Sequence, residues 1–257
     1  MPIELPRAQL QHLPGSPLKL AIAQVRFRPD PSVETAEKQV ELRRALAGDY
    51  ELESRDTLQT LVVQIGSWQP PAPLVQPPRA EQMLRFAARD SNSTLAVTPS
   101  SIGLETGSYR TYEEFGLQLE RTLVTLADVI ELRTLTRLGV RYVNEIEDER
   151  LRIHGGLAKI LTEPFLPAGG ALGLDVRGGF SEFLFDQPDG VFVLRRGLVE
   201  PTKYLFDMDY YSEEERPWDV RWVIDTVRAY HDVIESVFAA ALREEFRNEL
   251  AAGEGAL

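Results

Sequence analysis

Runs of alternating apolar and polar residues give way along this chain to stretches of helical period. LKLAIAQVRF (18–27) has the β-branched, alternating character of a strand and is closed by the turn residues Pro29, Asp30 and Pro31. In SVETAEKQVELRRALAG, Ala36, Val40 and Leu42 to Leu46 recur at helical spacing, with Ser32 or Thr35 as N-cap and Gly48 as stop. TLQTLVVQIGSW (57–68) reads as a strand, and the proline-rich QPPAPLVQPPR (69–79) cannot lie inside a sheet. QMLRFAARD (82–90) and the pair TLAVTP and SIGLET (94–106) are strand-like, and a helix is predicted from Thr111 to Leu132. Its stripe is Phe115, Leu119, Leu123, Leu126 and Ile130, and Thr111 with Glu114 has capping-box spacing.

The same order then recurs. LTRLGVRYVNEI (135–146) is a strand, HGGLAKILTEPF holds a short helix, and LGLDVRG, SEFLFDQ, GVFVLRRG and TKYLFDMDYY are strands. DVRWVIDTVRAYHDVIESVFAAALREEF (219–246) closes the chain as a long helix. The fold class is therefore α+β, with duplicated β-α-β(3-4)-α halves at 18–133 and 134–248, an N-terminal arm at 1–17 and a disordered tail at 249–257. An antiparallel sheet with one buried face needs a cover, so two long helices should pack on one side of a curved sheet. This order resembles the TATA-binding-protein-like or helix-grip architecture; two independent α+β domains divided near residue 133 are the rival arrangement.

Composition narrows the chemistry. The chain has no cysteine, which excludes disulfides, thiolate metal sites and thiol nucleophiles and suits a reducing cytoplasm. No run approaches membrane-span length, and the first residues lack a signal-peptide layout. With 28 Lys+Arg against 40 Asp+Glu the net charge is -12, so the chain as a whole should repel a phosphate backbone.

Few residues carry candidate chemistry. In YLFDMDYY (204–211), Leu205, Asp207 and Asp209 share one strand face, and Phe206, Met208 and Tyr210 the other. Paired carboxylates suit a hard divalent cation or acid–base work, with Glu182 or Asp175 as further ligands. In TRLGVRYVNEI, however, Arg137, Gly139 and Arg141 share a face, and as a neighbouring strand they would set guanidinium groups against Asp207 and Asp209. That ladder is the favoured reading, with no catalytic residue, metal or cofactor assigned. His12, His154 and His231 are the only histidines, and no G-x-S-x-G elbow accompanies them. His231 reads as a helix-surface or interface residue. The glycines of PAGGALGLD (167–175) open no helix, so phosphate-cradle logic does not apply, and the acidic SEEERPWD leads into a helix capped by Asp219.

Three segments carry a family resemblance: RLGVRYVN (137–144), LFDMDYY (205–211) and YRTYEEF (109–115). Together they resemble a sporadically distributed prokaryotic protein family marked by R-x-G-x-R-Y-[IV]-N and L-D-x-D-x-Y motifs. Phe206 and Tyr112 depart from the usual residues and keep a bulky apolar role. The resemblance implies no activity, substrate or cofactor; its sporadic distribution implies an accessory part of a mobile defence or biosynthetic cluster. The sequence thus predicts a cytosolic protein-interaction or scaffold protein, whose partner is another protein or a second copy, with no membrane contact. A carboxylate- or metal-dependent enzyme at Asp207 and Asp209 is the alternative. A nucleic-acid or nucleotide binder using Arg26, Arg137 and Arg141 on the open sheet face comes third.

Overall fold

A computed structural model describes residues 15–58, 81–89, 92–147, 156–166, 178–200 and 203–252. The predicted strand at 57–68 beyond Leu58, the proline-rich 69–79, LGLDVRG before Gly178, and most of the N-terminal arm and the last tail residues lie outside them. His12, His154 and Asp175 lie outside them as well.

The first strands are β1 (Leu18–Phe27), β2 (Tyr50–Leu58), β3 (Glu81–Ala88), β4 (Ser93–Val97) and β5 (Ser101–Thr106), with helices α1 (Ala36–Leu46) and α2 (Tyr112–Ala127). There follow β6 (Thr134–Glu147), the short α3 (Leu157–Ile160), β7 (Gly179–Gln187), β8 (Gly190–Glu200), β9 (Lys203–Ser212) and the two-residue β10 (Arg216–Pro217). The chain ends in α4 (Val220–Ala241) and α5 (Glu244–Ala252). The strands form one open antiparallel sheet in the order β2-β3-β4-β5-β1-β6-β9-β8-β7, with β10 added to β6. β1 and β6 meet at its centre, and each has the last strand of its own meander on the other side.

Alternation decides which face is covered. Ala21, Ala23, Val25 and Phe27 of β1, Leu138, Val140, Tyr142 and Ile146 of β6, and Phe206, Met208 and Tyr210 of β9 are buried. They belong to one cluster with Leu119, Leu123 and Leu126 of α2 and Val223, Val227 and Ile234 of α4. The capping residues act as their chemistry requires: the side chains of Thr35, Thr111 and Asp219 each accept from backbone N–H groups in the first turn of α1, α2 and α4.

Three elements differ from the sequence reading. YELESRDTL forms β2, a strand its polar pattern does not announce. In α1, Gln39 is buried and Val40 exposed, because Gln39 Nε2 donates to Gln82 Oε1 (3.0 Å) and to the Glu34 carbonyl (3.3 Å). The predicted helix 219–246 breaks at Leu242, which is extended and bridges Leu161; Thr162 N donates to the Ala241 carbonyl at 2.9 Å. A tertiary strand contact thus ends a segment whose residues favour helix. Among the described residues, no helix is long and apolar enough to cross a membrane.

Candidate functional site

The uncovered sheet face carries the charged residues singled out in the sequence. Adjacent pairing of β6 and β9 puts Arg141 opposite Asp209. The long arginine side chain reaches diagonally instead: Nε and Nη2 of Arg141 donate to Oδ1 and Oδ2 of Asp207 at 2.8 and 2.7 Å. Asp207 is almost wholly buried, with 2% of its side chain exposed against 44% for Arg141. Arg195 of β8, directly across from Asp207, approaches it at 3.5 Å and also donates to Glu182 of β7 at 2.5 Å. Arg137 lies 3.8 Å from Asp209, donates to Gln24 and sits over the Tyr211 ring at 4.6 Å. Gly139 leaves room for this placement: a Cβ there would stand 2.9 Å from an Arg137 guanidinium nitrogen, which would have to shift. Burial pushes the Asp209 carboxyl up, against the pull of Arg137, Arg141 and Arg195, and the hydrogen bond to Asp207 pushes the Arg141 guanidinium up.

Arg137, Arg141, Asp207 and Asp209 therefore stand together, joined by Arg195 and Glu182 in a chain of alternating charge across four strands. Arg26 of β1 is the cross-strand neighbour of Arg137 and, having no acidic partner among the described residues, donates through Nε to the same Gln24 Oε1 at 3.2 Å. Elsewhere on this face Arg85 pairs with Glu105 at 2.8 Å and Lys203 with Glu145 at 3.0 Å. Among the described residues no three His, Asp or Glu side chains gather as metal ligands would.

A second constellation lies on the helical side. A cavity of about 510 Å³ opens between the N-terminal end of α2 and the middle of α4, floored by Tyr142 and Asn144 of β6 and Met208 of β9. His231 of α4 is not at the helix surface: it is 7% exposed, stacked on Tyr112 at 4.5 Å, and its Nδ1 is 2.9 Å from the Tyr142 hydroxyl. That hydroxyl donates to the Tyr109 hydroxyl at 3.2 Å. His231 Nε2 is 3.8 Å from Glu235 Oε2, one helical turn along. Burial holds the imidazole neutral, its pKa pushed down to about 4, and burial beside Asp232 and Glu113 pushes Glu235 up to about 7. The i,i+4 spacing of His231 and Glu235 was legible in sequence; their convergence with Tyr109 and Tyr142 depends on how α4 docks.

A third feature is the sheet edge. Among the described residues β7 pairs only with β8, and Phe180, Phe183, Leu184 and Phe185 are 51%, 41%, 61% and 41% exposed. Large apolar side chains thus stand out on both faces of a strand whose outer backbone groups have no ladder partner among the described residues. No family model matches the chain, and no curated protein is significantly similar to it.

Proposed function

We propose that this is a non-enzymatic interaction protein that assembles through the free edge of β7, and that its partner is a second copy of the chain. The exposed aromatic edge carries the reading. A strand that has no second ladder partner among the described residues and carries four large apolar side chains is a template for strand addition, and proteins that do not use such an edge blunt it with charge, proline or a bulge. The strand GFSEFLFDQ has no proline and no basic residue.

The register supports a twofold pair. With Phe183 on the axis, Glu182 faces Leu184, Ser181 faces Phe185 and Phe180 faces Asp186 of the other copy, so like charges never oppose each other. With Leu184 on the axis, Glu182 would face Asp186, a repulsive pair. Because both copies use the same patch, the contact closes with two subunits.

The charged ladder fits this reading as structure. Both Asp207 carboxylate oxygens accept from Arg141, and the cations of the open face are largely matched by acids, which favours neither a metal enzyme at Asp207 and Asp209 nor phosphate binding through Arg137 and Arg141. β1 and β6 as equivalent central strands, each flanked by a meander, support a duplicated, TATA-binding-protein-like origin and the family resemblance of RLGVRYVN and LFDMDYY. The lack of cysteine supports a reducing, cytoplasmic setting.

Light scattering on the purified chain tests the proposal. Twice the chain mass is expected, with association strengthened by salt because two chains of charge -12 repel each other. Phe183→Asp sets two carboxylates across the axis and should weaken association by at least about 2 kcal/mol. A monomer throughout the accessible concentration range, or a dimer indifferent to Phe183→Asp, overturns the assignment.

A further inference from the structure

We propose that the cleft between α2 and α4 binds an organic amine, its ammonium held between the Glu235 carboxylate and His231 Nε2 and its apolar body against Tyr109, Tyr142 and Phe238.

The hydrogen-bond chain fixes what the site lacks. The Tyr142 O–H donates to Tyr109, so the proton between Tyr142 and His231 belongs to Nδ1, which donates to the Tyr142 oxygen. That tautomer leaves Nε2 a bare acceptor in a nine-tenths buried side chain. Among the described residues Nε2 has no hydrogen-bond partner, and the group beside it, Glu235 Oε2 at 3.8 Å, is another acceptor. Two acceptors face one small volume and no donor of the chain stands between them. Both acceptors belong to residues that line the cavity, and an ammonium there supplies a donor to each while matching the carboxylate charge.

The surroundings favour a cation with an apolar body. The side chains facing Glu235 are His231 and Asp232 on α4, Glu113 on α2, and Tyr109 and Tyr142. The nearby cations are engaged: Arg110 with Glu114 at 2.9 Å, and Arg228 over the Tyr112 ring at 4.7 Å and 3.9 Å from Glu113. Negative charge at the mouth and aromatic walls within are the two elements that hold alkylammonium and arylalkylammonium groups. A cavity of about 510 Å³ is in the range that small organic ligands occupy. The site lies on the helical side of the sheet, so amine binding and pairing through β7 are separate properties.

Calorimetry with phenethylamine tests this, with 2-phenylethanol and phenylacetate as neutral and anionic controls of the same shape. Above neutral pH, where Glu235 is ionised, the amine should bind and the controls should not. Binding should weaken as pH falls through about 7, because protonating Glu235 removes the counter-charge. Glu235→Gln should weaken the amine by at least about tenfold, and Glu235→Asp should restore part of it. Circular dichroism confirms that each variant is folded, and carboxyl carbon NMR of wild-type Glu235 should show its titration moving to lower pH when the amine is present. No binding of the amine, equal binding of phenylacetate, or a Glu235 titration that phenethylamine leaves in place overturns the proposal.

Discussion

Asp207 and Arg141 form an unequal pair, and the inequality predicts how each responds to mutation. Removing the arginine with Arg141→Met leaves a carboxylate with almost no access to water and, among the described residues, only Arg195, at 3.5 Å, to answer it. A loss of about 3 kcal/mol is expected in urea unfolding. Asp207→Asn should cost less, because Arg141 is nearly half exposed and can rehydrate, and the double variant should cost less than the sum of the two. Additive losses would mean that the pair is not coupled. Glu235 and His231 make a second residue-scale prediction. The folded protein holds the Glu235 proton up to about pH 7, above the unfolded value, so its ionisation destabilises the fold as pH rises toward and past 7. His231 acts oppositely: its pKa of about 4 lies below the unfolded value, and its stability contribution is lost as pH falls from about 6.5 toward 4. Between these limits the two slopes oppose each other. Glu235→Gln removes one of them, so it should stabilise the protein by on the order of 2 kcal/mol at about pH 8, with a smaller gain at about pH 5. Denaturation at the two pH values measures the difference, and an equal effect at both contradicts the burial argument.

At the scale of elements, β7 depends on one glycine of its neighbour. A Cβ at Gly197 of β8 would lie 2.0 Å from the Gly179 carbonyl oxygen and 2.7 Å from the Phe180 Cα, both backbone atoms that cannot give way locally. Gly197→Ala should therefore push β7 off β8 at a cost of about 1–3 kcal/mol, read as faster amide exchange in β7 while β1 and β6 stay protected. Loss of pairing through β7 should accompany it. A protected β7 in that variant would show that the strands adjust without parting. Legibility in the sequence follows the same physics of environment. β1, β6 and β9 were readable because one face of each is buried, so their side chains alternate; the Arg141–Asp207 contact followed from knowing which residues share a face. β2 was not readable, since the alternation begun by Tyr50 and Leu52 is broken by the polar run ESRDT. The break at Leu242 was hidden because it comes from Leu161 and Thr162, far away in the chain. The Tyr142–His231 contact spans 89 residues and depends on the rotation of α4 about its axis, which a helical stripe gives only to within a face.

Across the whole molecule, the middle of the sheet decides whether its halves are separable. β1 pairs with β5 on one side and β6 on the other, and β6 pairs with β1 and β9, so cutting between them exposes two ladders that are interior in the intact chain. The helical layer crosses the same boundary: Tyr112 of α2 stacks on His231 of α4, and its hydroxyl donates to the Ile224 carbonyl at 3.3 Å. Apolar residues from both sides of the boundary share a single core cluster, so dividing the chain there uncovers apolar surface on both halves. Urea unfolding should thus be one transition, with tryptophan fluorescence and far-ultraviolet circular dichroism giving coincident midpoints. A chain divided between α2 and β6 should give two fragments that are unstructured alone and recover sheet signal only when mixed. Two separated transitions, or a fragment that folds by itself, would instead identify two domains that merely share an edge at β1 and β6.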